Sequence, residues 1–227
     1  MNKNSLSVRK YSFDNLRCFL IICVVLGHLL ELCAPNFIST LLYRIIYSFH
    51  MPLFIFLNGY FAKFNPIRII KGYLIPYFLF QTLYLLFARN VLGLTDKFQY
   101  TTPYWILWYL LACLFYQLLI PFFDTKNPKK QLFFLTGALI FSLAIGFETT
   151  IGYFASLSRF FVFLPFFVLG LYYRKNEERM SVVSKKIKIL AVGVSACVIL
   201  WSFFFLKSDR ISNSMLYGSY SYAKLEY

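Results

Sequence analysis

Charge is scarce in this 227-residue chain: 14% of positions are Asp, Glu, Lys or Arg, and only 9 residues are acidic. A soluble globular domain carries about a quarter charged residues. The longest polar stretch, residues 174–188, reads as a loop, so no water-soluble domain is expected. Histidine occurs twice. The cysteines Cys18, Cys23, Cys33, Cys113 and Cys197 mostly stand alone in apolar segments, with no C-x-x-C pair and no histidine at zinc-ligand spacing. They read as small apolar residues, and no metal is expected. Internal repeats and low-complexity tracts are absent. A cleavable leader is not expected either. The first apolar run is broken by Arg17, His28 and Glu31, and Cys33-Ala34-Pro35 is a poor small-residue cleavage site, so the first span should be retained.

What the chain has instead is apolar and aromatic bulk, 59% and 22% of its residues. Apolar runs near the roughly 20 residues needed to cross a bilayer occur at about 16–33, 41–62, 74–92, 104–123, 132–147, 158–173 and 189–206. The expected fold is all-α: a polytopic transmembrane helix bundle of about seven spans. Lys and Arg are retained on the cytoplasmic side of a membrane, which orients the bundle. With the N-terminus cytoplasmic, most of the 23 basic residues fall in inner segments: Lys3, Arg9, Lys10 and Arg17; Lys63, Arg68 and Lys71; Lys126, Lys129 and Lys130; and the 174–188 loop. The net charge of +14 is thereby explained without nucleic acid. Tyr100, Tyr104, Trp105, Trp108 and Tyr109 cluster where the fourth span should enter from the outer interface, the level of aromatic anchors. Pro52, Pro76 and Pro165 fall inside spans and should kink them. Residues 1–227 are expected to form a single integral-membrane domain. The closing residues 215–227 are too short to span and read like the approach to another helix, so the expectation is a C-terminally incomplete chain.

Ionisable residues inside a membrane helix cost several kcal/mol unless paired or hydrated, so each in the first two spans is a candidate for function. Asp14, Arg17, Ile21, Val24, His28 and Glu31 follow 3-4-3-4-3 spacing, which holds them on one helix face, expected to point into the bundle. Counting rise per residue, His28 lies about 18 Å from the cytoplasmic edge and His50 about 13.5 Å from the outer edge of a core roughly 30 Å thick, nearly the same level. Glu31 and Arg44 both fall close to the outer edge and are suited to an ion pair. Asp14 and Arg17, three apart at the inner mouth, can pair as well. Blander roles remain beside these: His50 as a helix-to-helix hydrogen-bond donor, Arg17 as a topology anchor, Arg44 as an interfacial snorkeller. For His28, one turn from Glu31, a carboxylate-oriented imidazole is the sharper reading. Arg68 and Lys71 follow the second span with a spacing of three, where they suit the phosphates of a soluble anionic cofactor or, more plainly, mark topology.

The motifs Tyr11-Ser-Phe-Asp14-Asn-Leu-Arg17, Val25-Leu-Gly27-His28 and Ser48-Phe-His50-Met-Pro52-Leu-Phe-Ile-Phe-Leu-Asn58-Gly59-Tyr60 resemble the start of the acyltransferase-3 family of integral-membrane O-acyltransferases. The fucose 4-O-acetylase-like branch is the nearest in character. Trp108-Tyr109-Leu-Leu-Ala112, Arg159-Phe-Phe-Val-Phe-Leu-Pro165-Phe-Phe-Val-Leu-Gly170 and Leu216-Tyr-Gly218-Ser219-Tyr-Ser-Tyr222 look like later segments of that branch. The resemblance implies transfer of acetyl from cytoplasmic acetyl-CoA to a hydroxyl of an envelope polysaccharide or lipid-linked sugar, in the cytoplasmic membrane of a bacterium. The family's first-span Arg and His fall on Arg17 and His28, and its basic pair on Arg68 and Lys71. The family more often has Arg at the second of those positions; Lys71 keeps the charge but loses bidentate geometry.

The expected assignment is then His28, oriented by Glu31 or Asp14, as general base or as a relay for the acetyl group. Arg17, Arg68 and Lys71 would hold the coenzyme A phosphates, and His50, Arg44 and Asn58 would contact substrate. The outer aromatic surface would stack on sugar rings. The alternative is a transporter or flippase subunit for envelope glycans in which the same stripe lines a polar pathway. Against it, no second copy of the 14–59 pattern occurs downstream.

Overall fold

The computed structural model describes residues 11–33, 36–93, 99–104, 106–145 and 154–177, together with residue 193. Among these residues every regular element is a helix: α1 (Tyr11–Leu32), α2 (Phe37–Phe61), α3 (Pro66–Asn90), α4 (Leu107–Phe123), α5 (Pro128–Ile145) and α6 (Leu157–Lys175), the last preceded by a 3-10 turn, Phe154–Ser156. Of these, 4 are long and apolar enough to cross a membrane: α1, α2, α3, and α6 taken with its leading turn. α4 is equally apolar but 17 residues long, about 25 Å against a hydrocarbon core of about 30 Å. α5 opens with Pro128, Lys129 and Lys130 and is not among the four. The expected span at 189–206 lies outside the described residues. Large apolar side chains face outward along the helices, Phe133 at 72% and Ile140 at 67% exposure among them. A surface of that kind belongs in lipid, and the chain is an integral membrane protein.

The chain divides into two compact units, Met1–Phe54 and Ile55–Tyr227. In the first, α1 and the leading part of α2 form a hairpin. Asn36 caps α2 reciprocally with Ser39: its side-chain oxygen accepts from the Ser39 amide at 2.8 Å, and its own amide donates to the Ser39 hydroxyl at 3.0 Å. Gly27 lets the two helices meet closely, since a Cβ there would lie 2.8 Å from the Tyr47 ring.

In the second unit α3 begins eight residues before the apolar run at 74–92 that marks it in the sequence. Asn65 accepts from the Arg68 amide at 3.0 Å, and Pro66 takes a first-turn position where its missing N–H costs nothing. The helix then widens into a π turn, Ile70–Leu74, immediately before Pro76. A π turn relieves the clash of a proline ring with the preceding turn, so Pro76 sits in a continuous helix. Pro52, Pro121 and Pro165 also lie inside helices.

Glycine governs the packing of the end of α2 on α6. A Cβ at Gly59 would collide with the backbone of Phe167, and one at Gly170 with the backbone of Phe56 and Tyr60. Such close backbone approach is characteristic of membrane helix pairs. Tyr116 of α4 is fully buried, donates to the Phe160 carbonyl at 2.6 Å, and stacks on Phe160 and Phe167. At the other end of α3, fully buried Gln81 holds the 99–104 segment: its amide donates to the carbonyls of Gln99 and Thr102, and its carbonyl accepts from the Tyr104 amide, each at 3.0 Å.

Candidate active site

The polar stripe of α1 is present, displaced from where its spacing directs it. The buried residues of α1 are Leu20, Cys23 and Gly27, a 3-4 series offset by one residue from Ile21, Val24 and His28. Ile21 is 57% exposed, and the side chains of Asp14, Arg17, His28 and Glu31 are all partly exposed. The physical reason is size: the helix turns its small residues, Gly27 above all, toward Tyr47, where backbones can come close. The stripe is left at the margin of the buried face.

At the end of α1 that carries both residues, His28 Nδ1 lies 3.3 Å from Glu31 Oε2. Two tyrosines of α2 hold that carboxylate. Tyr47 donates to Glu31 Oε1 at 2.6 Å and Tyr43 to the same oxygen at 3.2 Å. The Tyr47 hydroxyl is also 3.4 Å from His28 Nδ1. Both imidazoles meet the Tyr47 ring edge-on, with centroids 6.3 Å away for His28 and 4.9 Å for His50. His50 is 3% exposed, and its Nδ1 donates to the Ile46 carbonyl at 2.7 Å. Five side chains therefore share one patch: His28, Glu31, Tyr43, Tyr47 and His50. When Nδ1 donates to Glu31, Nε2 is the His28 nitrogen left to accept a proton.

The other expected residues fall elsewhere. Asp14 pairs with Arg17 at 3.8 Å, and fourteen residues of helix place it about 21 Å along α1 from His28. Of the two carboxylates offered to His28 by the sequence, Glu31 is the one beside it. Arg44 is half-buried and adjoins Tyr43 in α2. Arg68 and Lys71 are exposed. The π turn winds through a smaller angle per residue than an α-helix, so these two side chains are set further apart around the axis than their spacing of three implies. Trp108 is unsuited to stacking on a sugar: it is 7% exposed, lies against Phe163, and carries the Arg159 guanidinium 5.2 Å from its ring. Trp105 lies outside the described residues.

Asn58 belongs to a second polar group, in the unit Ile55–Tyr227. Its amide nitrogen donates to the Tyr73 hydroxyl at 3.2 Å and to Cys113 Sγ at 3.4 Å, and its carbonyl accepts from Gln117 at 3.0 Å. Nothing in the sequence pattern singled out Gln117, and Cys113 stands there only as a small apolar residue. For the tyrosines a signal existed: Tyr43, Tyr47 and His50 share 4-3 spacing and so one face of α2. Among the described residues no group of three His, Cys, Asp or Glu side chains is placed to hold a metal ion.

Comparison with known proteins adds two findings. A family model described as an acyltransferase domain matches residues 10–225. Nodulation protein NolL of Sinorhizobium fredii (strain NBRC 101917 / NGR234) is 29% identical over 195 residues, covering 76% of this chain and 51% of that protein. The chain thus spans about half the length of the curated relative it matches. No solved structure matches it.

Proposed function

The chain belongs to the family of that acyltransferase domain, and on this basis we propose that it is a membrane-embedded O-acetyltransferase. Acetyl-CoA is the donor, and the acceptor is a hydroxyl of an envelope polysaccharide or lipid-linked sugar. The finer placement belongs to the same proposal: a single domain of about seven spans, N-terminus inside, in a bacterial cytoplasmic membrane, of the fucose 4-O-acetylase-like branch. The distribution of Lys and Arg supports that orientation.

The observation that carries the reading is the carboxylate on His28: Glu31 at 3.3 Å, itself held by Tyr47 and Tyr43. In the reaction, His28 Nε2 takes the proton of the acceptor hydroxyl as its oxygen attacks the thioester carbonyl. The carbon–sulfur bond breaks, coenzyme A leaves as the thiol, and the acetyl ester remains on the sugar. Glu31 fixes the tautomer and stabilises the imidazolium formed on the way. Arg17, Arg68 and Lys71 bind the donor phosphates, and the Asp14 carboxylate steadies Arg17. His50 and Arg44 contact the acceptor.

Purified protein supplied with radiolabelled acetyl-CoA and membrane glycan distinguishes this from transport. Label in the glycan is the expected result. Glycan uptake into proteoliposomes without acetylation would make the chain a transporter subunit.

A further inference from the structure

The sequence puts Asn58 among the substrate contacts, yet its side chain is committed to the protein. Both amide protons and the carbonyl are engaged, by Tyr73, Cys113 and Gln117. Two of these partners are rigid: Cys113 and Gln117 of α4 are 0% and 5% exposed. The third, Tyr73, belongs to the π turn Ile70–Leu74, which contains Lys71 and begins two residues after Arg68. Asn58 therefore ties the buried side of α4 to the turn that carries Lys71.

Two asparagines hold this stretch: Asn65 accepts from the Arg68 amide ahead of the turn, and Asn58 donates to Tyr73 within it. Between them the space beside Gly72 is open: a Cβ there would meet nothing within 4 Å. Arg68 also lies within electrostatic range of the Tyr73 hydroxyl. Released at Tyr73, the turn keeps the π register that accommodates Pro76 but loses its tie to α4, so Lys71 is free to shift relative to Arg68.

We propose that Asn58 is a positioning residue which, through Tyr73, fixes the mutual orientation of Arg68 and Lys71 and so sets the affinity for the phosphorylated acyl donor. The inference rests on the reading above that these two cations bind donor phosphates. It predicts an effect on donor KM, because Asn58 acts through the cations rather than on the reacting atoms.

The test is steady-state acetyl transfer by the full chain with acetyl-CoA varied. Asn58→Ala and Tyr73→Phe remove the same hydrogen bond, and Tyr73→Phe deletes a single oxygen, so it serves even if the other variant fails to insert. Each is expected to raise donor KM about two- to tenfold, the range for one hydrogen bond, with kcat within about twofold. In an Arg68→Ala/Lys71→Ala background, Tyr73→Phe should add nothing further. Unchanged KM in both single variants, a matching fall in kcat, or a full additional effect in that background would overturn the positioning role alone. An unchanged donor KM in Arg68→Ala/Lys71→Ala itself would overturn the donor-phosphate reading, and the inference with it.

Discussion

Glu31 accepts from three side chains at once, and the shortest of those contacts, 2.6 Å, comes from Tyr47. Removing that hydroxyl leaves Glu31 and His28 in place but loosens the carboxylate that orients the imidazole. Tyr47→Phe is therefore expected to lower kcat about ten- to a hundredfold, the cost of about 1.5–3 kcal/mol for a hydrogen bond to a charged group, with little change in either KM; initial-rate measurements check it. His28 and Glu31 were legible in the sequence because an ionisable residue in an apolar run is conspicuous. Tyr43 and Tyr47 showed only through their 4-3 spacing with His50, which sets them on one face of α2 but does not name Glu31, on another helix, as their partner. Asn58 was visible as a polar residue, but its bonds to Cys113 and Gln117 cross 55 and 59 residues of chain, a separation that no helical periodicity encodes.

Among the helices, α2 and α6 depend on two glycines for a backbone contact that no side chain can replace. Gly59→Leu or Gly170→Leu forces a side chain into opposing backbone and should destabilise the protein by about 1–3 kcal/mol, as overpacking does. The reading is a lower melting temperature in detergent. Gly137→Ala is the matched control, since a Cβ there meets nothing within 4 Å and the change should be neutral or better. Periodicity and length located α1, α2 and α6 to within a few residues. They missed the start of α3, because Arg68 and Lys71 mark the 63–71 segment as a cytoplasmic loop while Asn65 and Pro66 write a helix cap into the same residues. On α1 the polar stripe is offset by one residue from the buried face, Leu20, Cys23 and Gly27, where Gly27 allows the close approach of Tyr47.

For the molecule as a whole, the exposed apolar side chains belong in lipid, and the orientation proposed above puts the basic segments on the cytoplasmic side. A reporter inserted in the turn near Thr125, between α4 and α5, should be cytoplasmic, and one within 99–104 should be outside; the reverse pattern would invert the orientation proposed. In the proposed orientation the donor arrives from the cytoplasm, and His28 lies four residues from the far end of α1. What decides between an acyltransferase site and a merely polar membrane helix is the rate of labelled acetyl transfer by the full chain against His28→Ala, at equal amounts of inserted protein. General-base removal costs about 10²–10⁴-fold, so the variant should lose at least about a hundredfold in rate while inserting normally; transfer at the rate of the unmodified chain would contradict the account.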